Sequence, residues 1–175
     1  ANTTGSNNSA FGQTSLGSNT TGSNNTAIGR NSLASNTTTS NNTAVGYQAL
    51  HGNTASDNTA VGYNALLDNT TGTENVAVGY LAVSNCTTGS HNTGIGHDAL
   101  ESVSTGSYNT GMGRDAGRQI TTASGNVCIG NNAGDGGNVN FQVAVGSFSA
   151  SANTADGTTA VGYYAARSNT TGTKT

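Results

Sequence analysis

The chain has no proline, no tryptophan, a single methionine and two cysteines, and only 7% of its 175 residues are charged. Each shortage excludes something. A hydrophobic content of 32% would suit a disordered chain, but disorder normally comes with charge and proline, and both are missing. Five Lys and Arg against eight Asp and Glu give a net charge of −3, with no basic stripe to meet a phosphate backbone. Nucleic acid is therefore not an expected partner. No apolar run reaches the roughly 20 residues of a membrane-spanning helix. The opening Ala1-Asn2-Thr3-Thr4-Gly5 has neither a basic nor an apolar leader segment. The expectation is a mature form, or a piece of a longer chain.

What is abundant is Gly, Asn, Thr and Ser, and it is periodic. A glycine recurs at Gly12, Gly29, Gly46, Gly62, Gly79, Gly96, Gly113, Gly130, Gly146 and Gly162, at intervals of 16 or 17 residues. Ten units of this kind fill residues 1–175 as one repeat domain. A fixed short period implies a stacked array in which each unit packs on its neighbours. Gly, Asn and Thr are poor helix formers, so a helical array is excluded. The expected fold is all-β: a parallel β-solenoid of about ten coils, one per unit, rising about 4.8 Å each.

With the glycine as position zero, each phase can be read. Position −1 is large and apolar throughout: Phe11, Ile28, Val45, Val61, Val78, Ile95, Met112, Ile129, Val145 and Val161. Position −3 is mostly β-branched, as in Thr26, Thr43, Thr59 and Val76. Strand alternation puts these two positions on one face, and size and apolarity assign that face to the interior. Position −2 holds only small residues, including Ala27, Ala44, Ala60 and Ala77. They are read as an outward face against which another chain packs, with a coil too tight to admit bulk as the alternative. The recurrent glycines are read as corners whose backbone conformation is closed to other residues. Position +4 carries Leu16, Leu33, Leu50, Leu66, Val83 and Leu100, then fails to Gly117, Gly134, Ala150 and Ala166. The filling should thin toward the C-terminus, with Phe141, Phe148, Tyr163 and Tyr164 compensating. The Asn-Thr-Thr-Gly segments at Asn2, Asn19, Asn69 and Asn169 are turn-forming and read as a loop or a short third strand.

The stretch Asn41-Asn42-Thr43-Ala44-Val45-Gly46-Tyr47-Gln48-Ala49 resembles the Asn-Ser-Val-Ala-Ile-Gly-x-x-Ser repeat of trimeric autotransporter adhesin heads, the YadA-type β-roll. Residues 24–32 and 7–15 match similarly. Repeats with the Asn-Thr-Thr-Gly insert are similar to those of phage tail-fibre and surface-fibre proteins. The resemblance implies a left-handed roll, association with further copies of itself as a trimer or filament, and binding to host or matrix surfaces. It also implies an extracellular place, on a cell surface or a virion. This chain departs from the adhesin heads in having longer units.

Chemistry is thinly represented. Gly111-Met112-Gly113-Arg114-Asp115-Ala116 satisfies a loose nucleotide-binding pattern, but its glycines are phases of the repeat rather than a strand-to-helix turn. His51, His91 and His97 lie at different phases and suggest no metal centre. Arg114, Asp115, Arg118 and Asp135 form the densest charge cluster, read as a surface ion-pair patch. No cofactor and no enzymatic activity are expected. Cys86 and Cys128 lie 42 residues apart, about two and a half coils or about 12 Å of rise, which is beyond disulfide reach. Asparagine sequons occur at Asn2, Asn7, Asn19, Asn24, Asn36, Asn41, Asn69, Asn85 and Asn169, as an Asn- and Thr-rich text would produce by chance.

Tyr47, Tyr63 and Tyr80 share position +1 in three successive units, an outward stripe for stacking on sugar rings or for stiffening the stack. The expected function is that of a structural or adhesive module of an extracellular fibre. Its alternatives are a glycan-binding head and an ice-binding solenoid. Ice binding requires a flat outward lattice of threonines in two ranks. With the position −3 threonines assigned inward, one outward loop rank remains, interrupted at Thr54-Ala55.

Overall fold

In the computed structural model, which describes residues 2–170, every unit contributes one three-residue strand. The ten strands are β1 (Ser9–Phe11), β2 (Thr26–Ile28), β3 (Thr43–Val45), β4 (Thr59–Val61), β5 (Val76–Val78), β6 (Thr93–Ile95), β7 (Thr110–Met112), β8 (Val127–Ile129), β9 (Val143–Val145) and β10 (Thr159–Val161). They form one parallel sheet in sequence order, β1 to β10, and each strand aligns with the next at the same phase. The chain is therefore an all-β solenoid whose rows are the repeat units. The remainder of each unit is turn and bend. The Asn-Thr-Thr-Gly segment is thus a loop, and no second or third strand exists among the described residues.

The interior is the reverse of the apolar-inward expectation. The small residues at position −2, including Ala27, Ala44, Ala60 and Ala77, are completely buried. The large residues at position −1 and the β-branched residues at −3 point outward. The alanines accordingly line the core and do not form a contact face for a second chain. The physical reason is width. A typical coil, such as that of Leu50 or Leu66, holds one leucine at +4, a small residue at +3 such as Ala49 or Ala65, and an alanine at −2. At Gly111, which takes the alanine position in β7, an added Cβ would stand 2.7 Å from Leu100 Cγ. No valine fits there.

The corner glycines behave as expected. Gly12 through Gly162 hold φ between 122° and 142°. A Cβ on Gly46 would also run into the carbonyl of Gly62 in the next row. Position +4 is buried from Leu16 to Ala150 and exposed at Ala166, and the leucines hold it with φ near 50°. This left-handed conformation costs a non-glycine residue roughly 1–2 kcal/mol. Gly117 and Gly134 relieve it, with φ of 62° and 63°. The space they leave is filled by Leu100 of the preceding row and by residues of other phases: Ile120 beside Gly117, and Cys128 and Gln142 beside Gly134. The aromatics expected to compensate do not, since Phe141 and Tyr163 are exposed.

The polar part of the interior is organised by asparagine. At position −4, the Oδ1 of each asparagine accepts from the backbone N–H of the residue one row on. The rungs run from Asn25 N–H to Asn8 (2.9 Å) up to Gln142 N–H to Asn126 (2.8 Å). The side-chain amide of Asn75 in turn donates to the Gly89 carbonyl at 2.9 Å. Fully buried backbone groups that turn away from the sheet are thus satisfied row by row. A second ladder at position +7 links Asn19 to Asn2 and Asn69 to Asn53. It stops where Cys86 replaces asparagine, and Asn69 Oδ1 is left buried without a partner.

Candidate functional site

The surface carries three ladders, each the consequence of stacking one phase. The widest is the strand face itself. Positions −3 and −1 of β1–β10 form two outward ranks, and neither rank contains a charged residue. Phe11, Ile28, Ile95, Met112, Ile129 and Val161 are between 37% and 78% exposed, and Val45, Val61, Val78 and Val145 of the same rank are half-buried. Beside it stand Thr26, Thr43, Thr59, Thr93, Thr110 and Thr159, with Ser9 at one end and valines in the remaining rows. None of these six threonine hydroxyls bonds to another group among the described residues. Some loop threonines differ. Thr20, Thr54 and Thr70 each donate their hydroxyl to the backbone carbonyl one row on, at 3.0, 2.7 and 2.7 Å. The rank excluded by the sequence reading is therefore the one with free hydroxyls.

The second ladder is the tyrosine stripe. Tyr47, Tyr63 and Tyr80 stack with ring centroids 5.2 Å apart and planes within 11°. His97 continues the stack at 4.8 Å, and the Arg30 guanidinium covers the other end at 5.9 Å. Every tyrosine face is occupied by a neighbour in the stack. A sugar ring stacks on an aromatic face, and this stripe presents only ring edges and hydroxyls. Its geometry is that of a stiffening ladder.

A third ladder, which the phase reading missed, runs along position −5. All ten residues there have positive φ. Asn7, Asn24, Asn41 and Asp57 are joined side chain to side chain. Glu74 then pairs with His91 at 3.2 Å, and His91 stacks on Tyr108 at 4.7 Å. The available signal was the Asn-Asn pair preceding each early strand, since asparagine tolerates left-handed backbone.

The charge cluster is real, with exposed guanidinium groups on Arg114 and Arg118 over buried carboxylates. Asp115 and Asp135 are buried. Asp115 pairs with Arg114 at 3.2 Å and with Arg118 at 3.7 Å, and Arg118 also reaches Asp135 at 3.7 Å. Burial raises the Asp135 carboxyl above its ordinary value, against the opposing pull of Arg118. His97, Asp98 and Asp115 bring three potential ligand atoms within 4.8 Å of one another. Asp115 is already committed to two guanidinium groups, and His97 Nδ1 sits 3.1 Å from Asp98. The arrangement is an ion-pair network. Cys86 and Cys128 are free and buried, and burial pushes both thiols up to about 11. Of the sequon asparagines, Asn19, Asn36 and Asn69 are fully buried in the interior ladder.

No helix among the described residues is long and apolar enough to cross a membrane. Comparison of the chain with protein-family models, curated sequences and solved structures gives no match.

Proposed function

We propose that this chain is a structural module of an extracellular fibre, a stiff rod that extends and holds a surface rather than performing a reaction. The observation that supports this reading is the unbroken row-to-row bonding. Ten strands align without a register shift, and a side-chain ladder at position −4 runs beside them from Asn8 to Gln142. Nine steps of about 4.8 Å make a rod about 43 Å long, with almost no charge along its strand face. Such a body transmits load along its axis and lengthens by adding units. The resemblance of its repeat to adhesin-head and tail-fibre repeats points the same way, toward a cell surface or a virion. The test is immunogold electron microscopy with antibodies raised against the chain. Labelled projections on intact cells or particles are expected. Label confined to the interior of lysed cells would overturn the reading.

A further inference from the structure

We infer that the two-rank strand face binds ice, taking the ordered water of a crystal surface as its ligand. This goes beyond the fibre reading and rests on different observations. First, the face is a lattice. Rows repeat about every 4.8 Å along the stack, and the two outward positions of a strand lie about 6.6 Å apart. All ten strands keep the same register, so no row is offset. Second, the lattice is stiff. Seventeen of the twenty outward side chains are Val, Ile or Thr, whose χ1 is restricted before anything binds. Ordering them on a surface costs little rotamer entropy.

Third, the polar groups on the face are of one kind and unused. Six threonine hydroxyls stand in one rank with no partner among the described residues. Of the loop threonines, Thr20, Thr54 and Thr70 instead spend their hydroxyls on backbone carbonyls one row on. A hydroxyl rank beside a methyl rank, with no charge in either, can be incorporated into a water lattice: the hydroxyls bond to it and the apolar groups sit in its cages. A dry protein partner fits less well. Burying a hydroxyl without a partner costs about 1–3 kcal/mol. A second copy facing this one with its rows running the same way would set its apolar rank against the hydroxyls. A glycan would call for amide, carboxylate or open ring faces, which the two ranks lack apart from Phe11 at one end.

The test is ice uptake and freezing hysteresis of the intact chain. Three versions are compared: the chain itself, the double variant Thr59→Tyr and Thr93→Tyr on the face, and Asp68→Lys on an exposed loop. Circular dichroism, melting and small-angle scattering are followed on all three. The chain and the Asp68 variant are expected to enter growing ice and to open a hysteresis gap. The double variant should keep the melting temperature and lose both effects, down to the level of an inert protein. A folded rod that is excluded from ice overturns this inference and leaves the fibre reading intact. An oligomer that covers the face and shows no ice uptake overturns it as well, in favour of a second copy. Scattering from a compact globule would instead sink the rod reading.

Discussion

The reversal of inside and outside can be tested at two adjacent residues. Ala60 is fully buried at the centre of β4, and Val61 beside it faces outward. Replacing Ala60 by Val adds two methyl groups to a coil that has no room for them. At the matching position in β7, even a first Cβ would approach Leu100 Cγ to 2.7 Å. Overpacking of this kind costs about 1–3 kcal/mol. For a chain of this size each kcal/mol lowers the melting temperature by about 2–4 °C, so a fall of about 2–12 °C is expected. Replacing Val61 by Thr keeps the shape and the β-branch and changes only a solvent-facing methyl. Its effect should stay within about 0.5 kcal/mol.

The opposite arrangement reverses both signs. If position −1 were the interior, Val61→Thr would bury an unpaired hydroxyl at about 1–3 kcal/mol. Ala60→Val would then add a strand-favouring residue to an outer face, with a neutral or slightly favourable effect. Thermal melts of the two single variants, read side by side, decide the matter. A larger loss for Val61→Thr than for Ala60→Val refutes the packing described here.

Three further outcomes follow from the same interior. Asn75→Ala leaves the buried Asn92 N–H without its acceptor and the Gly89 carbonyl with only the weak Cys86 thiol as donor. At about 1–3 kcal/mol for each group the melting temperature should fall more than for Ala60→Val, and hydrogen exchange should quicken at Asn92. Asp135 and Glu101 both have carboxyls raised above their ordinary values, chiefly by burial. The folded state therefore holds its protons to higher pH than the unfolded chain, and the associated stability is complete at acid pH and fades as pH rises through the folded values. Asp135→Asn should flatten that part of the melting-temperature profile, and a profile steeper than the parent's would contradict the assignment. Finally, Ile120 fills the space vacated at Gly117, where a Cβ would meet Ile120 Cδ1 at 3.0 Å. Gly117→Leu and Ile120→Asn should each destabilise, while the double variant recovers part of the loss. A double-mutant cycle with no coupling would show that the two positions do not share the space.

The period was fully legible because the corner glycine has no substitute: its φ and the carbonyl of the next row both forbid a side chain, so it recurs in every unit. Row register and the inward leucines followed from it directly. The direction of the strand side chains did not. The usual rule places the larger apolar member of an alternating pair inside, but it presumes a core wide enough to take it. Here the coil is about one leucine wide, and uniform smallness at Ala44 or Ala60 was the sign of an interior. The asparagine ladders were hidden for a related reason. Asn42 and Asn75 look like loop residues in a linear sequence, and only closure of the coil reveals that their amides replace a hydrogen-bonding partner for the backbone. At the surface, the tyrosine stripe was visible as a row, but its stacking was not. Ring against ring at 5.2 Å closes the faces that would have made it a sugar site.

These corrections change what a site means in this fold. A constellation of unlike residues, brought together from distant parts of a chain, is the usual mark of chemistry. A solenoid does the opposite, because it brings together copies of the same phase. The surface of Thr26, Thr43 and Thr59 beside Ile28, Val45 and Val61 is uniform because the interior rule is uniform: alanine inside fixes the strand, and the strand then repeats whatever stands on either side of it. No single residue on such a face can discriminate a ligand. Only the spacing can, and spacing is recognised by a partner that has a period of its own. A crystal surface and another solenoid are two such partners. The six unpaired threonine hydroxyls favour the crystal surface over a copy whose rows run the same way, because a water lattice can bond to them and the apolar rank such a copy sets against them cannot.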